Sequence, residues 1–154
     1  MDPKVRVSTL IRSHDNPDKV KDSVNSIFPD WEPSNYPERF SFPVTRSSEV
    51  ISAEIHSIDG LLSILRENRV LDTALDAMAM KAHKGGTVFY LSRQSASIGK
   101  VSFVLEEYAL GGLIEVTLEG EDIEIWLEQQ TWHTGRERVP REVGDEYALS
   151  LIHI

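Results

Sequence analysis

The chain has 154 residues, of which 40% are hydrophobic, and a formal net charge of −9. This length suits one compact domain with its own hydrophobic core, and the overall acidity argues against non-specific binding to polyanions such as DNA. The absence of cysteine excludes disulfides and thiolate metal sites, and no apolar run approaches the roughly 20 residues that span a bilayer. We therefore expect a cytoplasmic protein with no membrane partner and no cofactor.

The first third of the sequence predicts two strands and a helix. Residues 4–12 alternate between apolar and polar side chains, which is typical of a strand with one buried face. Asn16 can cap a helix and Pro17 can open it, because proline is tolerated in the first helical turn. The proline-rich and aromatic segment 29–48 predicts an ordered loop. Residues 49–57 alternate again and predict a second strand.

The central part of the sequence predicts two helices. Ser57 can cap the first, and the second runs from Arg69 to about His83 with apolar residues at helical spacing. Asn68 is a plausible left-handed break between the two. Gly85 and Gly86 are expected to end the second helix, because glycine readily adopts a positive φ.

The remaining elements complete an α+β fold. Residues 87–91, 100–106 and 113–119 predict three strands, and residues 121–130 predict a short helix. We expect the first two of these strands to pair with each other, and the last two to form a hairpin across Gly111-Gly112. The pattern indicates a two-layer domain with an open, mainly antiparallel sheet and helices packed on one face.

The predicted domain spans residues 1–130, and residues 131–154 form a polar tail that is partly disordered or docks on the domain. We expect the core to include apolar residues from four of the five predicted strands and from the three longer helices. These residues are Val7, Ile11, Val24, Phe28, Ile51, Ile55, Leu61, Leu65, Leu75, Met78, Val101, Phe103, Ile114 and Val116.

No motif in the sequence indicates catalysis or metal binding. His14, Asp15 and Asp18 lie where a strand meets a helix cap, so capping and solvent exposure explain them better than a metal site. The chain lacks the G-x-S-x-G and H-E-x-x-H motifs. Glu121, Asp122 and their neighbours fall in the first turn of a predicted helix, where carboxylates are stabilising. We expect no catalytic residues, and a small hydrolase ranks last among the possible functions.

One segment departs from the acidity of the chain. Residues 81–104 contain His83 and four Lys or Arg residues but no Asp or Glu, whereas residues 105–154 contain three Lys or Arg against twelve Asp or Glu. If the neighbouring strand ends converge, this segment forms an electropositive rim that takes the phosphates of a structured RNA. The alternative is a helix end whose lysines offset its dipole, followed by a solvated loop. The predicted rim consists of Lys81, Lys84, Arg93, Gln94 and Lys100.

Two runs, one of them in this segment, carry a family resemblance. The Leu-x-x-x-Arg-x-x-x-Val-Leu-Asp-Thr-Ala run at residues 62–74 and the Gln-x-x-x-x-Gly-Lys run at residues 94–100 resemble uncharacterised archaeal protein family 0201. The resemblance extends over roughly residues 4–130. Members of that family have been described as predicted RNA-binding or exosome-associated proteins, with a fold resembling the large-subunit ribosomal protein that contacts 5S RNA. The resemblance therefore implies a ribosomal-protein-like fold and an RNA partner.

Two hypotheses about function follow from the sequence. The first is a non-enzymatic domain that binds structured RNA, ribosomal or exosome-associated, through the local basic rim. The second is a protein-interaction module in which a sheet edge or the apolar C-terminal residues form a homodimer without nucleic acid.

Overall fold

A computed structural model of the protein describes residues 2–12, 14–34, 49–105 and 112–137. A short 3₁₀ turn at Thr134–Glu137 closes the described part of the chain. Before it come five strands and five helices in the order β1 (Lys4–Ile11), α1 (Pro17–Ile27), β2 (Glu49–Ile55), α2 (Asp59–Glu67), α3 (Leu71–Ala79), β3 (Gly86–Ser92), α4 (Arg93–Ala96), β4 (Phe103–Val104), β5 (Leu113–Glu119) and α5 (Ile123–Gln130).

The five strands form one sheet in the order β2-β1-β5-β3-β4, and every neighbouring pair is antiparallel. This arrangement confirms the α+β class and the pairing of β3 with β4, which aligns Tyr90 with Val104. The predicted hairpin between the last two strands is wrong, because β5 lies between β1 and β3. Its alternate residues Ile114, Val116 and Leu118 are fully buried, which suits a central strand hydrogen-bonded on both sides.

One face of the sheet and the helices share the hydrophobic core. Val5, Val7 and Ile11 of β1 are buried with residues from all five helices, whereas Arg6 and Ser8 occupy the opposite face. The predicted core is confirmed except at Val101, which is partly buried and packs at its margin. Alternation along the strands thus identified the core-facing side chains.

The start of α1 and the residues that follow its end are fixed by side-chain hydrogen bonds. Asn16 caps the helix as predicted, since its side-chain oxygen accepts hydrogen bonds from the backbone N–H groups of Asp18 and Lys19. Trp31 is fully buried, and its Nε1 donates to the carbonyl of Val7 over 2.8 Å. An aromatic side chain therefore pins the start of the predicted loop to the sheet, while residues 35–48 lie outside the described residues.

The break between α2 and α3 lies one residue later than predicted. Arg69, not Asn68, adopts the left-handed conformation, with φ of 58°. The N–H of Val70 donates to the carbonyl of Leu65, and the N–H of Arg69 donates to that of Arg66. This pattern is a Schellman motif, in which the residue after the C-cap takes the positive φ. Asn68 remains in the helical region.

The glycines at 85 and 86 do not end α3, as the sequence had suggested, because the helix already ends at Ala79. Gly86 instead begins β3 beside β5, where an added Cβ would collide with the carbonyl oxygen of Leu118. The cap predicted at Ser57 is confirmed in part, since Ser57 Oγ accepts a hydrogen bond from the backbone N–H of Asp59 over 3.4 Å. The N-cap residue itself is Ile58, one position later, and its side chain makes no cap hydrogen bond.

Packing continues past the predicted boundary at residue 130. Thr131 is fully buried, and His133 Nε2 lies 3.0 Å from Asp72 Oδ1 at the start of α3. Residues 138–154 of the predicted tail lie outside the described residues. Within the described ranges, none of the helices has the length and apolar character needed to cross a membrane.

Candidate nucleic-acid interface

The structure does not bring the five predicted RNA-binding residues together on one rim. Lys84 precedes β3, whereas Gln94 and Lys100 follow its other end. Seven residues of extended strand separate these positions by about 20 Å, at roughly 3.3 Å per residue. Lys84, Gln94 and Lys100 are all exposed, but they lie at opposite ends of the sheet.

Arg93 is buried, so the prediction that it lies on an exposed rim is wrong. Only 8% of its surface is accessible. Its guanidinium Nη1 donates to Thr9 Oγ1 over 2.9 Å and to the carbonyl of Leu10 over 2.7 Å. Its Nη2 lies 3.1 Å from Asp15 Oδ2. The planar fork of the guanidinium is thus bonded inside the protein, where it ties α4 to β1 and to the β1–α1 turn.

Asp15 is the anionic centre of this buried cluster. Its Oδ2 also accepts from the backbone N–H of Arg12 over 2.8 Å, and the Arg12 Nε lies 3.4 Å away. Burial raises the pKa of Asp15, but the hydrogen bonds from Arg12 and the charges of Arg93 and Arg12 outweigh it and hold that pKa below its ordinary value. We call Arg93, Asp15, Arg12, Thr9 and the Leu10 carbonyl the Arg93 clasp.

The Arg93 clasp holds the base of a projecting turn, formed by Gln94, Ser97, Ile98, Gly99 and Lys100, that we call the α4 tip. The Lys100 N–H donates to the Ser95 carbonyl over 3.0 Å, and Gly99 provides a φ of 74°. The Ser92 side chain caps α4 by accepting from the Ser95 N–H. Hydrogen bonds within the turn therefore define its backbone.

A contact with α1 fixes the α4 tip from the other side. Ser26 Oγ donates to the carbonyl of Ala96 over 2.6 Å, and Ala96 itself is fully buried. The tip presents three exposed side chains of different chemistry: the Gln94 amide, the Lys100 ammonium and Ile98, which is 69% exposed. Sequence reasoning missed Ile98, although an isolated apolar residue between Ser97 and Gly99 is a signal for an exposed contact residue.

The other two predicted cations lie in different surroundings. The Lys81 Nζ lies 5.0 Å from the centroid of the Tyr90 ring, so its stem covers a nearly buried aromatic side chain. Lys84 is next to Gly85, whose carbonyl accepts a hydrogen bond from the Gly120 N–H over 2.9 Å. Gly120 stands between Glu119 and Glu121 in the chain, so two acidic residues flank the backbone position that bonds to the neighbour of Lys84.

Nothing in the described ranges forms a metal centre, since no three His, Asp or Glu side chains converge as a cation site requires. His14 is exposed, with its Nε2 3.8 Å from Asp15 Oδ1. The carboxylate of Asp15 is bonded instead to the two arginines of the clasp.

Comparisons with known proteins point to one archaeal family. The chain is 31% identical over 136 residues to the UPF0201 protein of Sulfolobus acidocaldarius, with 83% of this chain and 88% of the relative covered. It is 25% identical over 142 residues to the UPF0201 protein of Methanothermobacter thermautotrophicus, with 92% and 98% covered. No family model matches the chain.

Solved structures share the fold. The crystal structure of the UPF0201 protein from Methanococcus jannaschii has a TM-score of 0.69 and 22% identity, with 84% of this chain and 99% of that chain covered. Mth689, a DUF54 protein from Methanothermobacter thermautotrophicus, has a TM-score of 0.56 and 13% identity, with 99% and 97% covered.

The sheet, its helical layer and the projecting turn define a two-layer α+β domain with an antiparallel five-stranded sheet. The sequence relatives identify it further. The chain belongs to the archaeal UPF0201 family.

Proposed function

We propose that this protein is a non-enzymatic, cytoplasmic domain that binds structured RNA, ribosomal or exosome-associated, through the α4 tip. The observation that supports the proposal is the exposure of a cation, an amide and an apolar side chain on one fixed turn. Lys100 supplies charge for phosphate, Gln94 supplies donors and an acceptor for base or sugar groups, and Ile98 supplies an apolar surface. The ribosomal-protein-like fold, which the family resemblance implies, remains a prediction.

The charge distribution supports this location over others. The acid-free segment 81–104 contains the whole α4 tip, although the chain carries a net charge of −9. A local patch can attract an anionic ligand while the surrounding acidity repels RNA elsewhere. Only a few cations are available, so we expect a modest affinity for RNA. The affinity should fall with salt as expected for one or two phosphate contacts, which is a slope of roughly −1 to −2 for the logarithm of the binding constant against the logarithm of the salt concentration.

The Arg93 clasp gives the α4 tip a defined geometry before binding. A preformed turn loses little conformational entropy when it binds a partner, and this strengthens binding without additional contacts. Arg93 therefore acts on RNA through the position of Gln94 and Lys100, not through its own guanidinium.

Fluorescence anisotropy with a labelled 5S ribosomal RNA transcript tests the proposal. We expect Lys100→Ala to weaken binding and to lower the salt slope by about one unit, because one phosphate contact is lost. Lys84→Ala is the matched control, since Lys84 is equally a single exposed lysine but lies at the other end of β3. Equal effects of the two substitutions, or binding that does not depend on salt, would contradict a specific role for the α4 tip.

A second candidate function is homodimerisation through the sheet edge. Among the described residues β2 pairs with β1 alone, and its Val50 side chain is 66% exposed. An open edge strand with an exposed apolar residue can pair with a second copy. Light scattering coupled to gel filtration distinguishes the two functions. The dimer is favoured if the protein without RNA has twice the mass of one chain and if Val50→Lys reduces that mass to one chain.

A further inference from the structure

At the opposite end of the sheet from the α4 tip lies a groove of about 820 Å³ between the N-terminal residues and the β5–α5 turn. Trp126 Nε1 donates to Asp2 Oδ1 over 3.4 Å, and this bond joins the two sides of the groove. Pro3 packs on Gly120 at the same place. The volume falls within the range of pockets that bind small ligands or a few residues of a peptide.

Apolar side chains and carboxylates both line the groove. Ile125 is 56% exposed although it belongs to a helix that packs on the core, and the partly buried indole of Trp126 lies beside it. Surfaces that bind another protein combine apolar and polar side chains in this way. The carboxylates that line the groove are Asp2, Glu119, Glu121 and Asp122.

Few cations offset these carboxylates. Lys4 lines the groove, but its Nζ lies 3.8 Å from Glu54 Oε1 and is drawn toward that side chain. Lys84 lies nearby through the hydrogen bond between Gly120 and Gly85. The acidic side chains thus outnumber the basic ones, and the potential at the groove favours a positively charged partner.

We propose that this acidic groove binds a basic segment of a partner protein, in which Lys or Arg side chains flank an apolar residue. The apolar side chain packs on Ile125 and Trp126, and the flanking cations face Glu119 and Glu121. Charge complementarity selects this occupant over three others. RNA and anionic lipid surfaces are repelled by the carboxylates that line the groove, and a second copy of this chain brings a net charge of −9.

The proposal does not depend on RNA binding at the α4 tip. The two surfaces lie at opposite ends of β3, about 20 Å apart along the strand. The RNA site and the groove therefore share no residue, and one can be altered without changing the other.

Titration of fluorescein-labelled hexapeptides into the full-length protein tests the inference. The probes are Arg-Leu-Arg-Arg-Leu-Arg, the equally charged Arg-Ser-Arg-Arg-Ser-Arg, and the acidic Glu-Leu-Glu-Glu-Leu-Glu. We expect saturable binding of the first, weaker binding of the second by about fivefold, since roughly half of a leucine's burial is lost, and none of the third. Equal binding of the first two probes overturns the proposal, because charge alone then accounts for it.

Three variants locate the binding. The double variant Glu119→Lys with Glu121→Lys should weaken binding of the leucine peptide by about tenfold, because the new lysines repel the arginines of the peptide. Ile125→Ser should weaken binding of the leucine peptide by about fivefold and leave the affinity for the serine peptide unchanged. The control Asp22→Lys with Glu67→Lys makes the same charge change on exposed positions of α1 and α2 and should have less than a twofold effect.

Equal losses in the two double variants would show only a general response to net charge and would refute the groove. Circular dichroism checks that each variant is folded. Ile125→Ser changes an exposed residue and is not expected to disturb folding. It therefore still tests the proposal if one of the charge-reversal variants does not fold. No effect of Ile125→Ser on the leucine peptide would also refute the proposal.

Discussion

Replacement of Arg93 by alanine separates a structural role from a direct role in RNA binding. The change removes the hydrogen bonds that the guanidinium donates to Thr9 Oγ1, the Leu10 carbonyl and Asp15 Oδ2. The Asp15 side chain is only 11% exposed, so its charge loses a partner that water cannot fully replace. Breaking a buried ion pair by removing one member costs about 3–5 kcal/mol, and because Arg12 still contacts Asp15 we expect the lower end of that range.

Thermal and urea denaturation measure this cost. For a chain of 154 residues, each kcal/mol lowers the melting temperature by about 2–4 °C, so we expect a fall on the order of 10 °C. Lys100→Ala is the control, and its melting temperature should change by no more than about 2 °C because an exposed charge contributes little to stability.

RNA affinity provides the second readout for Arg93→Ala. We expect weaker binding at temperatures where the variant is folded, with an unchanged salt slope, because the α4 tip loses its support while its phosphate contact remains. The reasoning is refuted if the melting temperature is unchanged while the salt slope falls by about one unit. That outcome would make Arg93 an exposed phosphate ligand.

Three further substitutions test the fold and the clasp. Leu75→Ala, on the buried face of α3, should cost about 2–5 kcal/mol in urea unfolding, and an unchanged midpoint would place Leu75 outside the core. Gly86→Ala should cost about 1 kcal/mol or more, since the new Cβ meets the carbonyl oxygen of Leu118; full stability would contradict that close approach. Because the pKa of Asp15 is lower in the folded protein than its ordinary 3.8, the carboxylate stabilises the fold above pH 3.8, and this contribution is lost as the pH falls through the folded-state pKa. The stability difference between wild type and Asp15→Asn should therefore shrink on acidification below pH 3.8, and a difference that is constant or grows would refute the clasp.

Features governed by neighbours in sequence were predictable. The alternation in β1 and β2 identified the buried faces, and the Asn16-Pro17 pair marked the start of α1, because each depends on a few adjacent residues. The break after α2 was predicted one residue early. Backbone hydrogen bonds at the helix end place Arg69 in the left-handed position despite the general preference for Gly or Asn.

Features governed by distant residues were not predictable from a single sequence. β5 pairs with β1, more than 100 residues earlier in the chain, and local turn residues favoured a hairpin with β4 instead. Arg93 meets Asp15 across a separation of 78 residues. Neither residue's local sequence distinguishes a buried ion pair from two solvated charges, so the prediction placed Arg93 on the surface.

The candidate site was predicted in part. Gln94 and Lys100 are exposed together on the α4 tip, whereas Lys84 lies at the far end of β3 and Lys81 packs over Tyr90. Charge counting found the acid-free segment correctly. It could not show which of its cations face the same way, because that depends on how β3 and α4 are oriented in the folded sheet.

The central claim, that structured RNA binds at the α4 tip, is tested most directly by nuclear magnetic resonance. Isotope-labelled protein is titrated with unlabelled 5S ribosomal RNA, and backbone amide shifts are mapped along the chain. We expect the largest changes at residues 94–100, with residues 119–126 of the acidic groove unaffected. Shifts concentrated at Lys84 or in the groove, or none beyond those produced by salt, would contradict the claim.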